Sequence, residues 1–185
     1  MKKISSFLLT NIALIFTATS AIASDNTLFG FRFYARADDY LSYSLIRSAE
    51  RDSQTLRREG FKEIYVENPP IRNSQIENYW VGIDQRDTIH VIKGFTEVDN
   101  NRYCLRQAKK WANKLEDRFN QVATFDEFVS GEINIEAYGF SLENGDYIST
   151  RCNTYKDGEV YLWVYWQSYQ YNEAINEYYD SLERF

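Results

Sequence analysis

The segment VYLWVYW, Val160 to Trp166, constrains the fold more than any other, because side chains of two kinds alternate along it. In a β-strand, successive side chains point to opposite faces of the sheet. The mainly aliphatic set is the better candidate for packing against helices. The sequence therefore predicts that Tyr161, Trp163 and Tyr165 lie together on the other face, where they are the candidate binding residues.

Tyrosine and tryptophan have apolar bodies with a polar tip, and both recur where proteins contact partners. We expect Tyr138, Phe140 or Tyr147 of neighbouring strands to extend this surface. Aromatic residues are also ordinary strand formers, and cross-strand aromatic pairs stabilise sheets by roughly 0.2–1 kcal/mol each. A second packed face is therefore the alternative, and the sequence favours it over a binding surface.

Alternation and helical spacing divide the rest of the chain into elements. Alternation, flanked by turn residues, predicts strands at 27–35, 61–67, 78–83, 88–95, 133–142, 146–152 and 159–166. Apolar spacing of three and four predicts helices at 38–58, from Asn100 or Asn101 to Phe119, and at 172–185. Residues 36–60 also alternate in part, so a strand stays open there. A loop is expected around Phe125 to Gly131.

This order of elements predicts an α+β fold in a single domain, 24–185. The expected architecture is an antiparallel sheet with two or three helices packed mainly on one face. A hairpin followed by a helix occurs at 78–119 and again at 146–185, and the two helices end alike in KLEDRF and SLERF. A duplicated ββα unit and chance similarity of amphipathic helices both explain this likeness.

The first 23 residues predict a cleaved signal peptide. Lys2 and Lys3 precede an apolar run, and the small-residue pattern Ala21-Ile22-Ala23 suits a cleavage site. The apolar run is shorter than the roughly 20 residues that a membrane-spanning helix needs, so no stable membrane insertion is expected. We expect the mature protein in the periplasm or the medium.

The two cysteines, Cys104 and Cys152, both lie in the part expected to be exported. In an oxidising compartment an isolated pair has one choice of partner, so a disulfide is predicted. Two free buried thiols are the alternative. A redox-active pair is disfavoured because the chain has no C-x-x-C motif.

No motif in the chain indicates a particular chemistry. His90 is the single histidine, and it is interpreted as a packing residue of a strand, because a metal or a nucleophile would need further ligands or a base beside it. The local carboxylate pairs Asp38-Asp39 and Glu132/Glu136 are candidates for glycoside cleavage, with solvated surface charge as the more ordinary explanation. No cofactor, metal or catalytic residue is expected.

The charge of the chain predicts the kind of partner. The formal net charge is −6, and loss of Lys2 and Lys3 with the signal peptide changes it to −8. Acidity disfavours nucleic acid, whose binding depends on clustered Lys and Arg, and favours neutral or basic protein partners. The oligomeric state is not indicated.

In layout, the opening LFGFRF, the segment YVENPP, the hairpin and the two cysteines resemble small periplasmic two-cysteine proteins of Gram-negative bacteria. Some of these act as immunity proteins or inhibitors, and the resemblance carries over no functional residue. The expected function is therefore a non-enzymatic protein that binds a basic toxin or cell-wall enzyme. A carboxylate-based glycan or peptidoglycan hydrolase and an envelope assembly component are the alternatives.

Overall fold

The computed structural model describes residues 26–52 and 60–182 of the chain. The predicted signal peptide, residues 1–23, lies outside the described residues, and so do residues 53–58 of the predicted helix 38–58 and residues 183–185 of the predicted helix 172–185. The described part is a single α+β domain with a seven-stranded antiparallel sheet, a two-stranded hairpin and three α-helices, as predicted. Among these helices none is both long enough and apolar enough to cross a bilayer.

The elements have the following bounds. The strands are β1 (Thr27–Leu28), β2 (Phe31–Arg32), β3 (Lys62–Tyr65), β4 (Asn78–Ile83), β5 (Ile89–Glu97), β6 (Thr124–Ser130), β7 (Ile133–Ser141), β8 (Tyr147–Tyr155) and β9 (Val160–Gln167). The helices are α1 (Tyr43–Asp52), α2 (Asn101–Phe119) and α3 (Tyr169–Leu182), and a 3-10 turn spans Ala37–Asp39.

The large sheet has the strand order β3-β4-β5-β9-β8-β7-β6. The chain forms β3, β4 and β5 as a meander, continues through α2 to the opposite edge, and returns as β6, β7, β8 and β9. Strand β9 thus becomes the central strand, paired antiparallel with β5 on one side and with β8 on the other. The aromatic segment is therefore held by neighbours along both of its edges.

The inner face of the sheet, which carries Leu162 and Val164 of β9, packs against α2 and the N-terminal hairpin. Helix α2 buries Cys104, Ala108, Trp111 and Leu115, at the spacing of one helical face. Asn100 caps this helix, because its side chain accepts the backbone N–H of Tyr103. The predicted helix is confirmed in bounds, cap and buried stripe.

Helix α3 packs on the opposite, outer face, where Tyr171 joins Phe61 and Val91 in a small cluster. Helix α1 contributes Ile46 to the inner core, so two of the three helices lie on the inner side. The strand pairs β4-β5 and β8-β9 hold equivalent places on either side of the β5-β9 pairing. The helices that follow them lie on opposite faces, so the likeness of the two predicted ββα units does not extend to helix packing.

Two sequence expectations differ from the structure, and a third, left open by the sequence, is decided by it. Residues 27–35 form a tight hairpin rather than one strand, because Phe29 and Gly30 both adopt positive φ and make a two-residue turn between β1 and β2. The expected loop at 125–131 is largely strand β6, which alternation did not reveal because all seven of its residues are exposed. Within 36–60, residues 43–52 are helical, which decides between the two interpretations there.

The predicted disulfide joins Cys104 of α2 to Cys152 of β8, with a Cα–Cα distance of 5.8 Å and both residues fully buried. It ties the crossing helix to the sheet across 48 positions of sequence. In the chain-entropy account, a loop of this size restricts the unfolded chain by about 4 kcal/mol.

We expect the double variant Cys104→Ala/Cys152→Ala to unfold with a free energy about 2–4 kcal/mol lower than that of the parent. The physical reason is the regained freedom of the unfolded chain, together with a small cavity under α2. Urea unfolding followed by circular dichroism measures the change, and a reducing agent should destabilise the parent but not the variant. Equal stability of the two proteins would contradict this account.

Candidate functional site

The three predicted binding residues share the outer face of β9, but they differ in accessibility. Tyr161 and Trp163 are half-buried, whereas Tyr165 is buried with 7% of its surface exposed. The burial of Tyr165 comes from neighbours on the same face, with Tyr147 at 6.1 Å between ring centroids and the guanidinium of Arg151 at 4.9 Å. Tyr161 and Trp163 are therefore the residues that another molecule reaches first.

Trp163 lies at the centre of an aromatic layer that is held by cross-strand pairing. Its ring stacks on that of Phe95 of β5 with 4.3 Å between ring centroids, because the register places these residues directly opposite each other. The guanidinium of Arg151 lies 5.6 Å from the Trp163 ring and the ammonium of Lys93 lies 6.0 Å from it. Cations at these distances are attracted to the ring face, so the indole is fixed from three sides.

The aromatic layer reaches beyond β9 on both sides. On one side, the ring of Tyr155 of β8 packs against Tyr161 with 5.6 Å between ring centroids. On the other side, the ring of Trp80 of β4 packs against Tyr65 of β3 with 5.5 Å between centroids. Tyr147 belongs to this layer, as expected. Tyr138 and Phe140, which were also expected there, instead face the inner core. The register of β7 against β8 decides this, because it pairs Phe140 with the inward-facing Ile148.

Lys93 and Arg151, the two cationic side chains described on this surface, differ in whether a carboxylate neutralises them. Lys93 is neutralised by Glu63, whose carboxylate lies 2.6 Å from the ammonium and also accepts the hydroxyl of Tyr171. Arg151 contacts rings and forms no ion pair with a described residue. The centre of the outer face is therefore aromatic with one uncompensated guanidinium.

One end of the aromatic layer opens into an acidic groove of about 460 Å³. The described residues that line the groove carry five carboxylates and no lysine, arginine or histidine: Glu77, Glu97, Asp99, Asp157 and Glu159. Tyr161 joins the groove to the rings, because its hydroxyl donates to Glu159 at 2.8 Å. This bond, with help from burial and the nearby carboxylates, raises the pKa of Tyr161 to about 12. Sequence reasoning missed the groove because its residues come from three separate segments.

His90 lies in a buried network that resembles a hydrolytic triad in composition. An irregularity in the β4-β5 pairing, between Gly82 and Ile83, leaves His90 as the extra residue of β5. Its Nδ1 lies 3.0 Å from Oγ of Ser168, and its Nε2 lies 3.4 Å from the carboxylate of Asp84. Sequence reasoning found the histidine but not its partners.

This network has a structural role at the start of α3. Ser168 is fully buried, and its Oγ also accepts the backbone N–H of Tyr171, which caps the helix. Neither Ser168 nor His90 lines any of the four described cavities. The Ser168 hydroxyl is thus shielded from solvent by the described residues, and the network fastens α3 to β5.

A cavity of about 670 Å³ lies at the Trp166 end of β9, opposite the Val160 end that borders the acidic groove, and beside a buried carboxylate. Asp146 is 1% exposed and accepts hydrogen bonds from the hydroxyl of Tyr34, the side-chain amide of Asn144 and the backbone N–H of Tyr169. Burial and Asp146 together raise the pKa of Tyr34. With three donors, this carboxylate is satisfied by the protein itself, at the N-terminus of α3 where negative charge is stabilised.

The two carboxylate pairs singled out in the sequence are not brought together. Asp38 lies on the surface and pairs with Arg36 at 2.8 Å, and this bond holds the pKa of Asp38 below its ordinary value. Glu132 pairs with Lys156 at 2.5 Å on an exposed turn. Glu136 accepts from the side chain of Asn101 instead. Asp38, Glu132 and Glu136 thus each have a separate local partner.

Comparison of the chain with models of protein families, with curated proteins and with solved structures finds no match. Within the described ranges, no group of three or more His, Cys, Asp or Glu side chains is arranged to hold a metal ion. The aromatic layer and the acidic groove are therefore the features of the described residues that indicate a function.

We expect Ser168→Ala to lower the free energy of unfolding by about 1–3 kcal/mol, because it removes the α3 cap and leaves buried groups without a partner. Urea unfolding followed by circular dichroism measures the loss. Ser44→Ala, at an exposed site in α1, is the matched control and should change stability by less than about 0.5 kcal/mol. Similar values for the two variants would show that the network does not hold the helix.

The bond between Tyr161 and Glu159 predicts a late phenol titration. The tyrosinate absorbance of Tyr161 is obtained by subtracting the titration of Tyr161→Phe from that of the parent, and it should rise near pH 12. When both proteins also carry Glu159→Gln, the same difference should rise at a lower pH. Because the pKa is raised on folding, the bond stabilises the protein below pH 10 and loses its effect as the pH rises through 12. A difference titration that Glu159→Gln leaves unmoved would contradict the assignment.

Proposed function

We propose that this chain is an exported, periplasmic, non-enzymatic binding protein that inhibits, or gives immunity against, a basic protein such as a toxin or a cell-wall enzyme. The observation that carries the proposal is the outer face of β9. There, the half-buried rings of Tyr161 and Trp163 adjoin a groove whose described lining residues include five carboxylates and no lysine or arginine.

The aromatic layer supports the proposal through its rigidity. Large rings that are already fixed by neighbours lose little side-chain freedom on binding, so their buried area contributes more fully to affinity. Trp163 is fixed by Phe95 and Arg151, and Tyr161 by Glu159. The buried Tyr165 would contribute indirectly, by holding Arg151 in place.

The acidic groove supports a basic partner and predicts its orientation. Charges of one sign gathered in a concave site attract an oppositely charged protein and speed its association, more strongly at low ionic strength. The lysine- or arginine-rich part of the partner is expected at the end of β9 near Glu97 and Glu159. The partner groups over Arg151 are expected to be aromatic or acidic.

The buried disulfide supports the proposed compartment. Disulfides form and persist in oxidising environments and are rare where thiols are kept reduced. The bond between Cys104 and Cys152 therefore agrees with export. The lysine-led apolar N-terminus supports the same route.

We expect affinity capture from a periplasmic extract to retain a basic protein, which mass spectrometry identifies and surface plasmon resonance then characterises. Tyr161→Ala should weaken binding by 2 kcal/mol or more, about 30-fold, if the residue is a central anchor. Tyr43→Ala, at an exposed tyrosine of α1, is the matched control and should leave affinity unchanged.

The same measurement tests the groove through the association rate. Glu97→Gln/Glu159→Gln should slow association several-fold and reduce its dependence on salt, because two steering charges are removed. Asp117→Asn/Glu143→Gln removes the same charge at exposed positions away from the groove. Capture of the same protein by every variant, with unchanged kinetics, would reject the outer face as the binding site.

A further inference from the structure

Strand β6 forms one edge of the large sheet and is open along that edge. It pairs with β7 over all seven of its residues, and none of the described strands pairs with its other side. All seven residues are exposed, whereas at the opposite edge Ile64 of β3 is buried and α1 packs beside that strand. An exposed edge offers a row of backbone N–H and C=O groups to an incoming strand.

The edge is also unusually apolar for a solvent-facing strand. Phe125, Phe128 and Val129 are 47%, 49% and 72% exposed. The register places Phe128 on the outer face, opposite Ile135, and Phe125 and Val129 on the inner face. A long apolar edge strand is a site of association, because a strand paired to it satisfies its open backbone groups and places side chains beside the apolar ones on each face.

A pair of like charges lies in the middle of this strand. Glu127 stands directly opposite Glu136 of β7, and like charges in this position destabilise a strand pair. Neither carboxylate forms an ion pair with a described lysine or arginine. A cation placed on the open side of Glu127 would therefore relieve this repulsion, since among the described residues only the Asn101 amide, which donates to Glu136, offsets it.

A second copy of this chain is a poor occupant of the edge. Antiparallel self-pairing in full register would place Glu127 opposite Glu127 of the other copy. Four carboxylates would then lie in one row, two from β6 strands and two from Glu136 residues. Charged edge residues that oppose self-pairing in this way are a known protection against aggregation.

We infer that β6 is the edge on which an extended segment of a basic protein adds as an eighth strand, with a lysine or arginine opposite Glu127. Backbone hydrogen bonds would supply affinity, and Glu127 with its apolar neighbours would supply selectivity. The inference deepens the proposed function and rests on it for the nature of the partner. Strand β6 lies three strands from β9, about 14 Å away, so one protein can reach both surfaces.

The probe is a synthetic strand as long as β6, seven residues, with the sequence Thr-Val-Thr-Lys-Thr-Val-Thr and blocked ends. Its counterpart has Glu in place of Lys. Titration into isotopically labelled protein, followed by NMR, gives the affinity and the residues that respond. The Lys peptide should shift the signals of β6 and bind several-fold more tightly than the Glu peptide. Shifts confined to other residues would overturn the inference.

A charge swap tests the predicted contact. Glu127→Lys should reverse the preference, so that the Glu peptide binds more tightly than the Lys peptide. This variant also removes the repulsion with Glu136, so the fold should be retained, and circular dichroism checks it. Glu143→Lys, at an exposed position of the β7-β8 turn, is the control and should leave the preference for Lys in place. The same preference in both variants would reject Glu127 as the contact.

Backbone methylation tests strand addition itself. In a strand, the N–H groups of every second residue point to the same edge. One peptide is methylated on the nitrogens of its odd-numbered residues and a second on those of its even-numbered residues, so each has one blocked edge, and the two blocked edges are opposite. One of them should lose binding and the other retain it. Equal binding by both would show attraction by charge without strand pairing and would overturn the inference.

Three further outcomes separate this inference from the alternatives. A parent dimer in sedimentation that a substitution in β6 dissolves would overturn it, because a second copy would then occupy the edge. If the peptides fail to bind while capture still depends on Tyr161, strand addition is rejected and the proposed function stands. If the peptides bind β6 while capture is independent of Tyr161, the outer face is rejected and the edge stands.

Discussion

The packing of helix α2 across the inner face of the sheet is the constraint on which the other features depend. The helix carries the chain from β5 to the far edge, and the disulfide between Cys104 and Cys152 fixes it over β8. It therefore covers Leu162 and Val164 and directs the rings of Tyr161 and Trp163 to the other face. The route of one helix thus determines which side of β9 another molecule can reach.

The sequence predicted most of the sheet because burial leaves a periodic trace. Strand β4 has the predicted bounds, β5, β7, β8 and β9 agree closely with the predictions, and the cap and stripe of α2 were readable from Asn100 and the spacing of apolar residues. Strand β6 left no such trace because neither of its faces is buried. The turn at Phe29 and Gly30 was missed because the phenylalanines alternate through a hairpin as they would along a strand.

The candidate surface was only partly readable from sequence, since it depends on pairing between distant segments. Tyr161 and Trp163 were found from their alternation. Their partners Phe95 and Arg151 follow from the register of β9 with β5 and β8, which single-strand patterns do not specify. The same holds for His90, whose contact with Ser168 spans 78 positions. Contacts that depend on the register between strands, rather than on spacing within one strand, are not specified by the pattern of a single segment.

The place of β9 in the middle of the sheet has a consequence for how the chain acquires its structure. Strands β5 and β9 are joined by pairs such as Glu97 with Tyr161, more than 60 positions apart in sequence. Long-range pairing of this kind slows folding, because the intervening chain must be restricted before the contacts form. Until β9 is in place, the edge of β5 that it occupies is unsatisfied, and partly folded molecules are then most vulnerable to mispairing with one another.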